Sequence, residues 1–158
     1  MALRKSGERD FHIMRRTVPL FLFALTYSLF SASLVFAQVQ TRIRVIEASN
    51  VGSSIDSSLR DVHGQLGSLF SFSSYRLLKD ETLNLSLNQP VSAPIHPGRS
   101  VELTLMRQQR DTAEVRVKIK REGTDILNTL VRLSPGRTVS IGGPKHGEGV
   151  IIIALSRL

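Results

Sequence analysis

Five basic side chains recur at alternate positions on two predicted strands and form the clearest candidate for a binding surface. Arg42 and Arg44 alternate with apolar residues on the first strand, and Arg116, Lys118 and Lys120 do so on a later one. Because side chains two residues apart lie on one face of a strand, strands in one sheet would share a cationic face. Such a face binds an anionic polymer, a lipid headgroup or an acidic protein. The alternative is a solvated face balanced by nearby carboxylates: Glu102, Glu114 and Glu122.

A glycine-rich segment at residues 142–149 is a candidate functional loop. Its candidate residues are Gly142, Gly143, Lys145, His146 and Glu148, and the last two are the pair to test first as metal ligands. A phosphate-binding loop lies between a strand and a helix, whereas this segment precedes an apolar run that predicts a strand. The favoured interpretation is therefore a hairpin loop in which glycine supplies positive φ angles.

No other pattern in the sequence indicates an enzyme. The 158-residue chain has no cysteine, which excludes thiol catalysis, disulfide scaffolds and cysteine-ligated zinc. The GxSxG spacing of a serine nucleophile is missing. We therefore predict no catalytic, cofactor-binding or metal-ligating residues and no cofactor, with a hydrolase as the third alternative for the function.

Residues 1–37 have the organisation of an export signal. Arg15 and Arg16 precede an uncharged apolar segment that ends in small residues before Ala37, which matches a basic n-region, an apolar h-region and a cleavage site. Met14 is an alternative start. A membrane anchor is the alternative to cleavage, because the apolar run approaches the roughly 20 residues that span a bilayer. Export to a periplasm or cell surface, together with few aromatic residues, makes nucleic acid an unexpected partner.

The elements that position the candidate residues are mostly strands. Alternating or continuous apolar runs predict strands at residues 41–48, 72–78, 82–88, 100–107, 112–121, 125–133, 137–141 and 149–155. The last run is apolar at nearly every position and predicts a central strand covered on both faces. We expect a mainly β (α+β) fold, an antiparallel β-sandwich or half-barrel, as a single domain at residues 38–158.

One amphipathic helix is predicted near residues 54–67. A Ser–Asp capping pattern that begins at Ser53 precedes apolar residues at helical spacing: Ile55, Leu59, Val62 and Leu66. We expect this helix to pack at the edge of the sheet and to end at Gly64 or Gly67.

Turn residues predict how the strands are joined. Residues 121–124 and 134–136 contain the glycine and proline of short turns, which favours antiparallel neighbours. Residues 89–99 contain three prolines and predict a crossover from one sheet to the other.

Residues 129–143 form a strand that begins with Thr129, a Ser134-Pro-Gly136 turn and a second strand that ends in Ile141-Gly-Gly143. This segment resembles the strand-turn-strand signature near the end of secretin domains, the outer-membrane pores of bacterial secretion and pilus systems. The resemblance covers only these residues, and the chain is too short for a secretin's ring-building domains and gate hairpins, so pore formation does not carry over. It implies a bacterial envelope β-domain related to such machinery or assembling with it.

The predicted function is that of a non-enzymatic protein-interaction module of the bacterial envelope, accessory to secretion or pilus-type machinery. The expected partner is another envelope protein bound through a sheet edge, a common mode of recognition by antiparallel sheets. The alternative is an anionic polymer or a lipid headgroup bound by the cationic face.

Export predicts a processed protein. Cleavage after Ala37 makes Gln38 the first residue of the mature chain. Mass spectrometry of the C-terminally tagged full-length protein, recovered from expressing bacterial cells, should find Gln38 at the N-terminus. An intact N-terminus in the membrane fraction would instead establish a permanent anchor.

Overall fold

The computed structural model describes residues 38–158, and the segment predicted as an export signal lies outside them. No helix among the described residues has the length and hydropathy needed to cross a membrane. In chain order the elements are β1 (Val39–Ser49), a 3-10 turn (Ser57–Leu59), α1 (Arg60–Leu69), β2 (Ser74–Leu85), β3 (Pro90–His96), β4 (Arg99–Gln109), β5 (Thr112–Arg121), β6 (Thr124–Leu133), β7 (Thr138–His146) and β8 (Gly149–Arg157).

The strands form two antiparallel sheets that pack face to face. Sheet A has the order β2-β1-β8-β7, and sheet B has the order β3-β4-β5-β6. The chain passes from sheet A to sheet B at residues 86–89 and returns at residues 134–137. One aliphatic cluster fills the space between the sheets. The predicted antiparallel β-sandwich is therefore the observed fold.

Strand β8 is buried on both faces, as its continuous apolar run predicts. One set of its side chains lies in the cluster between the sheets: Ile151, Ile153 and Leu155. The alternate set lies in a second cluster, which it shares with α1: Ile152 and Ala154. The protein therefore has three layers, with α1 on the outside of sheet A and sheet B on its inside.

Helix α1 lies on the outer face of sheet A and not at its edge. Three of the four predicted apolar positions are buried in this contact: Leu59, Val62 and Leu66. Tyr75 on β2 is buried with them, and its hydroxyl donates a 2.6 Å hydrogen bond to the carbonyl of Phe70 at the end of the helix. The prediction for Ile55 is wrong, because Ile55 lies before the helix and is exposed.

The helix boundaries also differ from the prediction. Asp56 caps the 3-10 turn that precedes α1, and its Oδ1 accepts a 3.0 Å hydrogen bond from the backbone N–H of Ser58. Helix α1 itself begins at Arg60 and has no side-chain cap. Helix α1 continues through Gly64 and Gly67 and ends at Leu69. Each helical glycine costs about 1 kcal/mol relative to alanine, and burial of the apolar stripe outweighs that cost.

Three connections differ from the prediction. The two strands predicted at residues 72–78 and 82–88 are one strand, β2, whose pairing with β1 contains a bulge. Residues 89–99 contain strand β3 at the edge of sheet B, where a strand tolerates proline. β6 and β7 are not neighbours, because β6 pairs with β5 and β7 pairs with β8; their turn is a crossing between sheets.

The two helical glycines give a test of the packing. Both are exposed, and a Cβ added at either would meet no other atom within 4 Å. Gly64→Ala and Gly67→Ala should therefore each raise the free energy of unfolding by about 0.5–1 kcal/mol, measured by urea denaturation.

The matched control for this test is Gly136, whose φ is +71°. Gly136→Ala should lower the free energy of unfolding, because an L-residue is strained in that conformation. Helix substitutions that lower stability as much as Gly136→Ala would contradict the described helix.

Candidate functional site

The structure separates the two predicted cationic groups. Arg42 and Arg44 lie on β1 in sheet A, whereas Arg116, Lys118 and Lys120 lie on β5 in sheet B. On both strands, the apolar residues that alternate with these basic side chains are buried between the two sheets. The arginines of β1 therefore point toward α1, and the basic residues of β5 point away from sheet A. The predicted single cationic face is therefore wrong, because the two strands belong to different sheets.

Carboxylates hold both arginines of β1. Arg42 donates hydrogen bonds of 2.8 Å and 2.5 Å to Asp80 on β2. Arg44 is only 3% exposed and donates a 2.8 Å hydrogen bond to Asp61 on α1. These hydrogen bonds lower the pKa of both carboxyl groups. Arg44 is thus part of the contact between helix and sheet and does not form a binding surface.

The lysines of β5 are paired on the outer face of sheet B. Lys120 Nζ lies 2.5 Å from a carboxylate oxygen of Glu102, and Lys118 Nζ lies 3.2 Å from one of Asp125. The hydrogen bond with Glu102 raises the pKa of Lys120. Arg116 is exposed, with no ion pair to another residue of the described range. This face is a network of paired charges and matches the solvated alternative more closely than a cationic patch.

The glycine-rich segment is mostly strand and not a loop. β7 continues as far as His146, and only Gly147 and Glu148 form the turn into β8. Gly147 is the one glycine of residues 142–149 with a positive φ, +56°. Lys145 is exposed on the strand, and its carbonyl accepts a 2.8 Å hydrogen bond from Arg99. The prediction of a long hairpin loop is therefore wrong.

Close packing, and not turn geometry, explains the glycines within β7. A Cβ at Gly142 would lie 3.1 Å from the ring of Phe70, and one at Gly143 would lie 2.9 Å from the carbonyl oxygen of Ile151. The approach of Gly143 to the backbone of β8 excludes a larger side chain, whereas a side chain at Gly142 would require a small shift of the Phe70 ring.

His146 faces two titratable side chains from other strands. Its ring centroid lies 4.6 Å from that of His96 on β3, and its Nε2 lies 3.8 Å from Oε1 of Glu47 on β1. Glu148 is exposed in the turn, so the carboxylate beside His146 is that of Glu47. Within residues 38–158, no group of three histidine, aspartate or glutamate side chains is arranged to hold a metal ion.

The sandwich has four edge strands, and three of them carry features that discourage pairing with another strand. β3 contains Pro90 and Pro94, and β7 contains Pro144 within an irregular stretch. β2 carries charged side chains along its length, and Lys79 Nζ donates a 3.4 Å hydrogen bond to the carbonyl of Pro94. Proline, bulges and charge are the usual means by which proteins protect sheet edges.

Strand β6 carries the fewest such features. It contains no proline or glycine, and its charged residues, Asp125 and Arg132, lie near its two ends. Its one register shift lies between Asp125 and Leu127, at the start of the strand. Ile126 is 42% exposed and Leu130 is 55% exposed. No strand in the described range pairs with the outer side of β6. Its edge therefore presents backbone N–H and C=O groups that form no hydrogen bonds to a neighbouring strand. This edge is the candidate functional site.

None of the predicted site residues lies on β6. The sequence feature that could have pointed to β6 is the presence of apolar residues on both faces of the strand. Ile126 and Leu130 lie on one face, and Leu127 and Val131 lie on the other. The same pattern is typical of a central strand covered on both faces, such as β8. Only the strand order shows that β6 is an edge.

The Arg44–Asp61 pair leads to a stability prediction. Asp61→Asn leaves the buried Arg44 guanidinium without its carboxylate and should lower the free energy of unfolding by about 1–2 kcal/mol at neutral pH. Removing one partner of a fully buried ion pair lowers the free energy of unfolding by about 3–5 kcal/mol. The expected effect is smaller here because Asp61 is exposed to solvent. Urea denaturation measures the difference, with Asp111→Asn in the β4–β5 turn as the control.

The pH dependence of the same variant follows from the lowered pKa of Asp61. A carboxyl group whose pKa is lower in the folded state stabilises the folded protein at pH values above its unfolded-state pKa of about 3.9. This stabilisation is lost as the pH falls through the folded-state pKa. The difference between Asp61→Asn and the parent should therefore shrink in strong acid. A constant difference at all pH values would contradict the assignment to this carboxylate.

Comparisons with known proteins do not assign this chain to a family. No family model, curated protein or solved structure matches it. A function proposed for the chain therefore rests on the residues and the geometry described above.

Proposed function

We propose that this chain is an exported protein of the bacterial envelope that acts as a non-enzymatic interaction module. It binds an extended segment of a partner protein along β6, as an additional strand of sheet B. The open edge of β6, which has no proline and no charge in the middle of the strand, supports this proposal, because the other three edges carry proline or charge within the strand.

The backbone of β6 supplies the main attraction. An added strand would form a ladder of main-chain hydrogen bonds with the unpaired groups of the edge, and its side chains would determine specificity. Ile126 and Leu130 favour apolar side chains in the partner, because apolar cross-strand pairs contribute about 0.2–1 kcal/mol each. Asp125 and Arg132 favour a basic residue near one end of that segment and an acidic residue near the other.

Two features of the sequence support a partner in the bacterial envelope. Residues 1–37 have the organisation of an export signal. Residues 129–143, which resemble the secretin signature, comprise the second half of β6, the crossing to sheet A and the first part of β7. We therefore place the partner among the proteins of secretion or pilus-type machinery.

Leu130→Lys tests strand addition. A lysine on an edge strand is a natural barrier to pairing, and the exposure of Leu130 makes the change compatible with folding. In cells, a photo-crosslinking residue in place of Ile126 should capture one extended segment of an envelope protein, identified by mass spectrometry. A synthetic peptide of that segment should bind the purified protein, and Leu130→Lys should weaken its binding about tenfold or more.

Two controls distinguish the edge from other surfaces. Leu87→Lys places the same charge at a leucine that is 53% exposed between β2 and β3, and peptide binding should be unchanged. Arg60→Glu reverses the charge of an exposed arginine at the start of α1, away from sheet B, and should also leave binding intact. Binding that survives Leu130→Lys, or that is lost equally in Arg60→Glu, would overturn the proposal.

A further inference from the structure

One end of the sandwich holds a large polar cleft. Its volume is about 1450 Å³, and it lies where the turn between β4 and β5 meets the connection between β6 and β7. Four arginines line this arginine cleft: Arg107, Arg110, Arg132 and Arg137. Uncharged polar residues, among them Gln109, Thr112 and Ser134, complete much of its wall.

The arginine cleft has an excess of positive charge. Among residues 38–158, the carboxylates that line it are those of Asp111 and Glu114, so with four arginines these side chains give it a formal charge of +2. Glu114 is shared, because it lies 3.1 Å from Arg132 Nε and 4.0 Å from Arg107 Nε. Arg110 and Arg137 form no ion pair within residues 38–158 and are exposed at the cleft.

The arginines reach the cleft from two sides. Arg107 and Arg110 come from the hairpin of β4 and β5, and Arg132 and Arg137 come from the end of β6 and the crossing that follows it. A guanidinium group donates parallel hydrogen bonds that match the oxygens of a phosphate group. Arg110 from the β4–β5 turn and Arg137 from the β6–β7 crossing are the two that lack an ion pair within residues 38–158, and two such guanidinium groups suit a ligand with two linked phosphates better than a single small anion.

We propose that the arginine cleft binds a diphosphate, either free or as the headgroup of a lipid. Binding uses Arg110 and Arg137 as the main new contacts, because the other two arginines already share Glu114. The cleft includes Arg132 at the end of β6, but Arg110 and Arg137 lie outside that strand, so binding by these two arginines does not require strand addition.

Calorimetric titration of the purified protein with inorganic pyrophosphate tests this site. The double variant Arg110→Asn/Arg137→Gln should raise the Kd about tenfold or more, because it removes two charged contacts. Asn is chosen at position 110 because Arg110 has a φ of +44°, which Asn tolerates. Arg121→Gln, an exposed arginine at the opposite end of β5, removes one charge outside the cleft and should leave the Kd unchanged.

Vesicle sedimentation identifies the source of the phosphates. Phosphatidylcholine vesicles that contain diacylglycerol pyrophosphate should retain the protein, in competition with pyrophosphate, if the ligand is a headgroup, and vesicles with the single phosphate of phosphatidic acid should retain it less. Pyrophosphate binding without vesicle binding identifies a free diphosphate. No binding of pyrophosphate, an unchanged Kd in the double variant, or equal weakening by Arg121→Gln would overturn the proposal. Because Leu130 and Arg132 stay intact in these variants, failure here leaves the test of the β6 edge unaffected.

Discussion

The structure depends on a central strand that is apolar on both faces. Burying an aliphatic side chain contributes about 1.5–3 kcal/mol, whereas an exposed ion pair contributes about 0–1 kcal/mol. The consecutive buried residues of β8 therefore outweigh the surface charges of the molecule. They require an apolar layer on each side of sheet A, and sheet B and α1 provide those two layers.

The helix layer explains why the basic charge of the chain does not form one surface. α1 covers the face of sheet A from which Arg44 projects, and a buried guanidinium needs a partner. Asp61 on the helix supplies it, and Asp80 on β2 does the same for Arg42. On sheet B, Glu102 and Asp125 pair with the lysines of β5. Among the described residues, Arg110 and Arg137 form no ion pair, and the β4–β5 turn and the β6–β7 crossing bring them together at one end of the sandwich.

The open edge and the arginine cleft meet at one corner of the protein. Arg132 lies near the end of β6 and also lines the cleft. Two features of different chemistry thus occupy one region: a backbone edge, whose attraction is short-range and directional, and a basic pocket, whose attraction is long-range and weakened by salt. The other three edges carry proline or charge within the strand, so this corner is the least protected part of the sandwich.

The sequence by itself determined which side chains share a face and which strand is central. The alternation at Val115 and Val117 and the apolar run of β8 predict burial because the side-chain period of a strand is local. Only the tertiary structure decided that β1 and β5 lie in different sheets, that α1 continues through Gly64 and Gly67, and that β6 is an edge. Those outcomes depend on pairing and packing between residues distant in the chain, and neither propensity nor periodicity carries that information.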